Sequence, residues 1–289
     1  MATLLGLTMT ARQLQPVSVA KPWGRTDLPA TLRAGIEDPI GEVWFTDPGN
    51  GPAFLLVKYL FTSEKLSVQV HPDDDQARAI GLDSGKSECW YVLDAEPGAV
   101  LGIGLRQPID KDALRAAALD GSIEALIDWK PVRPGSFYYI PAGTIHAIGG
   151  GIRLVEIQQN SDVTYRLYDY GRPRELHLDA AMAVSRAEPY PLPDRIVTAD
   201  QPERILDGRR SLFILDNIVL EAGESRMLAN GPSWVIPLKG SGMIDDRPWR
   251  GGECWLAAVG SHLNAAESSH FLIARWPETM TPAGAPPID

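Results

Sequence analysis

The sequence predicts a mainly β protein of the sandwich or barrel class, with one small helical insertion. Two observations carry this. Short runs rich in Val, Ile, Phe, Tyr and Trp recur along the chain, punctuated by a high content of turn formers, 27 Gly and 24 Pro in 289 residues. Only residues 109–128 carry a sustained helical pattern. There Asp110 can cap a first helix, Leu114, Ala117 and Ala118 fall on one face, and Gly121-Ser122 breaks it before a second short helix.

In chain order, residues 16–25 read as an extended lead-in, followed by strands at Gly41-Glu-Val-Trp-Phe and Phe54-Leu-Leu-Val-Lys-Tyr-Leu-Phe. The second of these is apolar on both faces and is expected to be buried. The stretch Leu66-Ser-Val-Gln-Val-His-Pro-Asp-Asp alternates, with Ser67, Gln69 and His71 on one face and Leu66, Val68 and Val70 on the other. After Pro72, the acidic run from Asp73 predicts a helix start, since carboxylates favour the positive end of a helix. Glu88-Cys-Trp-Tyr-Val-Leu is the next strand; the Gly85-Lys86-Ser87 turn delivers Glu88 to its first position, in line with Trp90 and Val92. Beyond the insertion come Gly135-Ser-Phe-Tyr-Tyr-Ile, then Pro141-Ala-Gly-Thr-Ile-His-Ala-Ile, then Ile152-Arg-Leu-Val-Glu-Ile-Gln-Gln, then Val163-Thr-Tyr-Arg-Leu-Tyr-Asp-Tyr. On the last of these Thr164, Arg166 and Tyr168 are expected to share a face. A polar, proline-rich segment from Glu188 to Pro202 predicts a boundary between domains at 1–190 and 200–289, after which the β pattern resumes at Leu212, Trp234 and Glu253.

Bulk composition excludes several classes of function. A formal net charge of -10 disfavours nucleic acid and anionic membranes as partners, without opposing an anionic small molecule met by local Arg and Lys. The two cysteines, Cys89 and Cys254, are distant and set in apolar runs, which predicts buried free thiols and a reducing compartment. The apolar opening Met1 to Met9 lacks a basic region and is too short to span a bilayer, so a cytoplasmic location is expected.

Gln69, His71, Glu88 and His146 are the candidate ligands. Two nitrogen and two oxygen donors on strands suit a borderline divalent ion, zinc above all, with an open position left over. Glutamine is an uncommon ligand, and spacing alone leaves blander readings open: a strand-end His71, a satisfied core His146, and Glu88 paired with Lys86 or an arginine. Glu88 in line with large apolar groups costs several kcal/mol, roughly, unless paired or bound to a cation. His177, His262 and His270 lack comparable neighbours.

A weak internal repeat crosses the boundary. Arg133-Pro-Gly-Ser-Phe-Tyr-Tyr-Ile aligns with Arg250-Gly-Gly-Glu-Cys-Trp-Leu-Ala, and Leu263 then takes the place of His146, with His262 one residue off and on the opposite strand face. Nothing like Gln-Val-His or Lys-Ser-Glu recurs, so the second copy is expected to be a structural relative without the ligands.

Four stretches, in order and with the helical insertion between the second and third, resemble the successive motifs of type I mannose-6-phosphate isomerases (phosphomannose isomerases) in their short bacterial form. They are 66–74, Gly-Lys-Ser-Glu-Cys-Trp-Tyr-Val-Leu at 85–93, Pro-Ala-Gly-Thr-Ile-His-Ala-Ile at 141–148, and Glu-Ile-Gln-Gln-Asn-Ser-Asp-Val-Thr-Tyr-Arg-Leu-Tyr-Asp-Tyr-Gly-Arg at 156–172. The resemblance covers residues 16–190 and beyond them only the architecture. It implies two jelly-roll barrels of the cupin superfamily, the first holding one zinc ion through Gln69, His71, Glu88 and His146, the second degenerate. It also implies reversible interconversion of D-mannose 6-phosphate and D-fructose 6-phosphate through a cis-enediol, by a monomer or homodimer acting on a phosphorylated hexose. Lys86 and Arg166 would stabilise the enediolate, transfer protons or bind phosphate; Ser67 would donate to the phosphate; Glu156 is a candidate for proton transfer. The competing readings are a cupin isomerase for another phosphosugar, a metal-dependent dioxygenase, for which Lys86 and Arg166 have no use, and a non-catalytic sugar-phosphate-binding protein.

Overall fold

A computed structural model describes residues 11–28, 30–33, 35–48 and 54–277, so the apolar opening Met1 to Met9 lies outside the described residues. The chain divides into two compact units, one of residues 16–196 and one combining 11–15 with 197–277 among the described residues. Both are mainly β.

In the first unit a seven-stranded sheet runs in the order Arg195–Ile196, Ser136–Ile140, Glu88–Ala95, Ile152–Gln159, Leu55–Phe61, Ile40–Thr46 and Gln15–Arg25. A five-stranded sheet runs Tyr165–Tyr168, Val68–Val70, His146–Ile148, Val100–Leu105 and Ile127–Pro131. The two face each other across a shared core. Leu60, Trp90, Val92, Tyr138 and Leu154 from the larger sheet meet Leu101, Ile103 and Ile148 from the smaller. Burial of such side chains is the main stabilising term, at about 1.5–3 kcal/mol each.

The five-stranded sheet buries its other face as well. Val68, Val70, Leu105, Ile127, Ala147 and Leu167 pack against Leu114, Ala117, Ala118 and Ile123 of the insertion and against Ala181, Met182 and Val184. The helices concerned are Lys111–Asp120, capped by Asp110, then Ile123–Leu126, then Leu178–Val184. The apolar side of the 66–71 stretch is therefore covered by helices, which leaves its polar side to face the opposing sheet. The insertion ends two residues before 128, because Ile127 begins a strand. After Pro72 the expected helix forms as Asp74–Ala79, with a capping box between Asp73 and Gln76.

The strand Tyr165–Tyr168 corrects one expected alternation. Its pairing with Val68–Val70 slips between Arg166 and Tyr168, a bulge that turns Tyr168 with Tyr165 onto the helix-covered side, away from Arg166.

The second unit has a six-stranded and a four-stranded sheet; residues Arg12–Gln13 pair with Trp255–Ala257 in the former. Its core is apolar, including Val235, Trp249, Trp255, Leu263 and Phe271. Leu263 is in that core and His262 is exposed, as the one-residue offset in the repeat requires. His270 is buried and bonded to Asn217, and both cysteines are free and buried. Among the described residues no helix is long and apolar enough to cross a membrane.

Candidate metal centre and its cavity

Three adjacent strands of the larger sheet carry charged side chains into the first unit's interior. Lys58 stands directly opposite Trp44 on one neighbour and Glu156 on the other, and Glu156 stands opposite Trp90. One register step along, Glu88 lies opposite Gln158. The smaller sheet contributes Gln69, paired with both His146 and Arg166, and His71 follows on the same side.

His71, Glu88 and His146 converge, with ligand atoms all within 4.8 Å of one another and all three residues buried. Each imidazole is oriented from behind. His71 Nδ1 donates to the Val163 carbonyl at 2.8 Å and His146 Nδ1 to the Thr144 carbonyl at 2.9 Å. A carbonyl can only accept, so Nδ1 carries the proton and each Nε2 presents a lone pair to the centre. These Nε2 atoms lie 3.6 and 3.5 Å from the two Glu88 oxygens. Neither Glu88 oxygen accepts a hydrogen bond. Lys86 Nζ is 2.8 Å from Oε2, at ion-pair distance. Two aimed lone pairs around a buried carboxylate that accepts no hydrogen bond form a donor set that could hold a divalent cation.

Gln69 completes the predicted quartet. Its amide nitrogen is 3.3 Å from His146 Nε2, and its Oε1 accepts from Ser67 Oγ at 3.3 Å. A half-turn of the terminal amide would bring the oxygen inward, and the two orientations differ little in shape.

Electrostatics follow from burial. Desolvation holds the His71 imidazole well below its ordinary range, helped by Lys86, and brings His146 to about 4. Both rings are neutral at pH 7, the form that ligates. Burial raises the Glu88 carboxyl above the usual carboxylate range against the pull of Lys86, and the nearby Glu156 charge adds to the rise. Burial also opposes ionisation of Glu156, but Lys86 and Lys58 outweigh it and hold this carboxyl below the usual carboxylate range. Lys58 Nζ is 3.3 Å from Glu156 Oε2, and Trp90 Nε1 donates to Oε1 at 3.1 Å. Burial pulls Lys86 down too, but Glu88 and Glu156 prevail and it stays an ammonium.

Above the cluster lies a cavity of about 260 Å³, whose lining includes Ser67, Gln69, Lys86, Glu156, Arg166 and Arg174. Every predicted site residue therefore lies in the ligand cluster, on the cavity wall, or in both. Lys86 is not on a solvated turn: its Nζ is also 3.2 Å from His71 Nε2. Arg166 makes no ion pair among the described residues, neither with Asp162 nor with Asp169, and donates to the Glu175 carbonyl at 2.7 Å.

Sequence reasoning passed over Lys58, Trp44, Glu42 and Arg174, all on the cavity wall. Lys58 had a visible signal, being the one charge in the strand Leu55–Phe61, whose residues are all buried. Its ammonium lies 4.5 Å from the Trp44 ring centroid, a cation–π contact.

The Gly85–Glu88 turn is tied to the end of the His71 strand. Lys86 N–H donates to the Pro72 carbonyl, and Asp74 accepts from Gly85 N–H and from Gln159, which in turn accepts from Ser87 N–H. A Cβ at Gly85 would fall 2.4 Å from the Asp73 carbonyl carbon and 2.5 Å from the Pro72 oxygen. Gly85→Ala should consequently force the turn outward at a cost of about 1–3 kcal/mol and misplace Lys86. Thermal melts and turnover check this, and an unshifted melting point with wild-type rates would count against it.

No protein-family model matches the chain. Among known proteins it is 41% identical over 158 residues to a probable mannose-6-phosphate isomerase of Bacillus subtilis, a match spanning 50% of each chain. It is 43% identical over 136 residues to the mannose-6-phosphate isomerase of Streptococcus mutans, covering 45% of this chain and 43% of that one. The matched stretches thus span about half the length of these curated relatives. The fold extends further. A crystal structure of mannose 6-phosphate isomerase from Bacillus subtilis superposes with a TM-score of 0.77 at 25% identity, covering 92% of this chain and all of that one. A putative mannosephosphate isomerase from Archaeoglobus fulgidus shares the fold, with a TM-score of 0.73 at 15% identity over 94% of this chain. By sequence over half its length and by fold over nearly all of it, the chain is similar to mannose-6-phosphate isomerases.

Proposed function

We propose that the chain interconverts D-mannose 6-phosphate and D-fructose 6-phosphate in the cavity of its first unit. The observation that carries this is the pairing of a cation-ready cluster, His71, Glu88 and His146, with a wall bearing Lys86, Lys58, Arg166 and Arg174. Zinc suits the nitrogen and oxygen donors, with Gln69 as the fourth ligand, and when bound it would polarise the sugar oxygens. An isomerisation needs no attacking water. It moves a proton between C2 and C1 through a cis-enediol, with a second proton shifting between the oxygens.

The chain's own residues supply the rest. Lys86 and Arg166 present positive charge where the enediolate and the phosphate carry negative charge. Ser67 is buried at the cavity wall and can donate to a phosphate oxygen. Glu156 is an ionised carboxylate on that wall and the candidate proton carrier. With its affinity for protons held low by the two lysines, stabilisation of the enediolate must provide much of the driving force. The second unit has no counterpart of the Gln-Val-His or Lys-Ser-Glu stretches and serves as a structural companion. The setting is cytoplasmic, consistent with two free thiols.

An assay coupling fructose 6-phosphate to a dehydrogenase tests the reading directly, with turnover of mannose 6-phosphate expected. Thermal stabilisation by mannose 6-phosphate with no turnover would instead identify a phosphosugar-binding protein.

A further inference from the structure

The turn after the strand Tyr165–Tyr168 sets one buried carboxylate between two arginines. Asp169, with 2% of its side chain exposed, is held by Arg174 in two parallel contacts, Nε to Oδ2 at 2.5 Å and Nη2 to Oδ1 at 2.6 Å. Arg172 Nη2 adds a third at 2.8 Å, and its backbone N–H and Nε donate to the Asp169 carbonyl. The turn itself is unusual. Tyr170 has φ 55 and Gly171 φ 78, two consecutive left-handed residues closed by the bond from Arg172 N–H to the Asp169 carbonyl. Glycine takes this conformation freely, whereas tyrosine enters it at a cost of about 1 kcal/mol or more. The packing that retains it is visible: the Tyr170 ring lies against the helix-covered core, with Arg172 at 5.5 Å and Lys65 at 5.3 Å.

Arg174 and Arg166 line the same cavity. They carry like charge, and burial together with Arg174 weakens the hold of Arg166 on its proton. A cation beside another cation does not stay in place unassisted. Among the described residues the one carboxylate in direct contact with Arg174 is Asp169, bound in the planar fork that fixes a guanidinium in both position and orientation.

We propose that Asp169 is a positioning residue for the anionic end of the substrate: it fixes Arg174 on the cavity wall, so that a phosphate meets two guanidiniums, Arg174 and Arg166. This rests on the phosphosugar reading above. Asp169 touches no substrate and acts through Arg174. The alternative is a carboxylate that only closes the turn.

A double-mutant cycle on the full chain separates the two. Asp169→Asn and Arg174→Gln should each raise KM for mannose 6-phosphate about ten-fold, the size of a lost charge-assisted contact, with kcat within about three-fold. The double variant should be no worse than either single one. Effects on KM that multiply in the double variant would overturn the proposal, as would an Asp169→Asn variant with a lowered melting point and an unmoved KM. If Asp169→Asn does not fold, Asp169→Glu, which keeps the charge but moves it outward, takes its place in the cycle. Calorimetric titration of mannose 6-phosphate into the same variants distinguishes the failures. Wild-type binding without turnover removes the isomerase reading while the cycle, run on Kd, still decides Asp169; a wild type that binds no phosphosugar overturns both.

Discussion

Glu88→Gln is expected to abolish tight metal binding and to lower turnover of mannose 6-phosphate by roughly a thousand-fold or more. The substitution keeps the shape and removes the charge. Glu88 is fully buried, its oxygens accept no hydrogen bond, and it stands between two imidazole lone pairs. A glutamine amide can donate to one of those lone pairs, so this variant should fold with a modest shift in melting point. Glu88→Ala should behave differently, because it leaves a cavity and deprives Lys86 Nζ of its partner at 2.8 Å. Removing one member of a buried pair costs about 3–5 kcal/mol. Metal content by atomic emission, turnover and melts on both variants check this. A Glu88→Gln protein with a full complement of metal and near wild-type rates would remove Glu88 from the ligand set.

The second large effect is expected at Lys58. This ammonium lies 3.3 Å from Glu156 and 4.0 Å from Glu42, in a strand buried throughout. Lys58→Met would leave Glu156 with Trp90 Nε1 and the more distant charge of Lys86. A destabilisation of about 3–5 kcal/mol follows, or about 10 °C in Tm for a unit of this size. Turnover should fall about a hundred-fold, since the lysine places Glu156 and, together with Lys86, keeps it ionised. Adding Glu156→Gln to Lys58→Met removes the uncompensated charge. The double variant should recover most of the lost stability and none of the activity. A single variant that melts with the wild type would show that the pair contributes little.

How much of this was legible in the sequence depends on whether local alternation survived folding. Ser67, Gln69 and His71 sit on one face around a short strand, and the five-stranded sheet preserves that period, so the polar side and its candidate ligands could be read directly. Which side is interior was less accessible. Val68 and Val70 are covered by helices 111–120, 123–126 and 178–184, and the last of these has no side-chain cap to announce it. Tyr168 was misplaced because a bulge after Arg166 shifts the register, and a bulge leaves no mark on a pattern of period two. The strand Val100–Leu105 carries no clear sequence signal, because two glycines in six residues interrupt the β-rich pattern. Lys58 was overlooked because an all-apolar strand suggests burial without a polar side, although a lone lysine there requires a partner. Arg174 could not be placed at all, since its position depends on the Tyr170-Gly171 turn and on Asp169.

If the first unit holds a phosphosugar isomerase site built on Gln69, His71, Glu88 and His146, its turnover depends on a bound cation. The most direct measurement is turnover of mannose 6-phosphate by one preparation in three states: as purified, after exhaustive chelation with metal content verified, and after readdition of one equivalent of zinc. Activity is expected in the first state, loss of nearly all of it in the second, and recovery in the third. Undiminished turnover by protein verified to be metal-free would contradict that dependence.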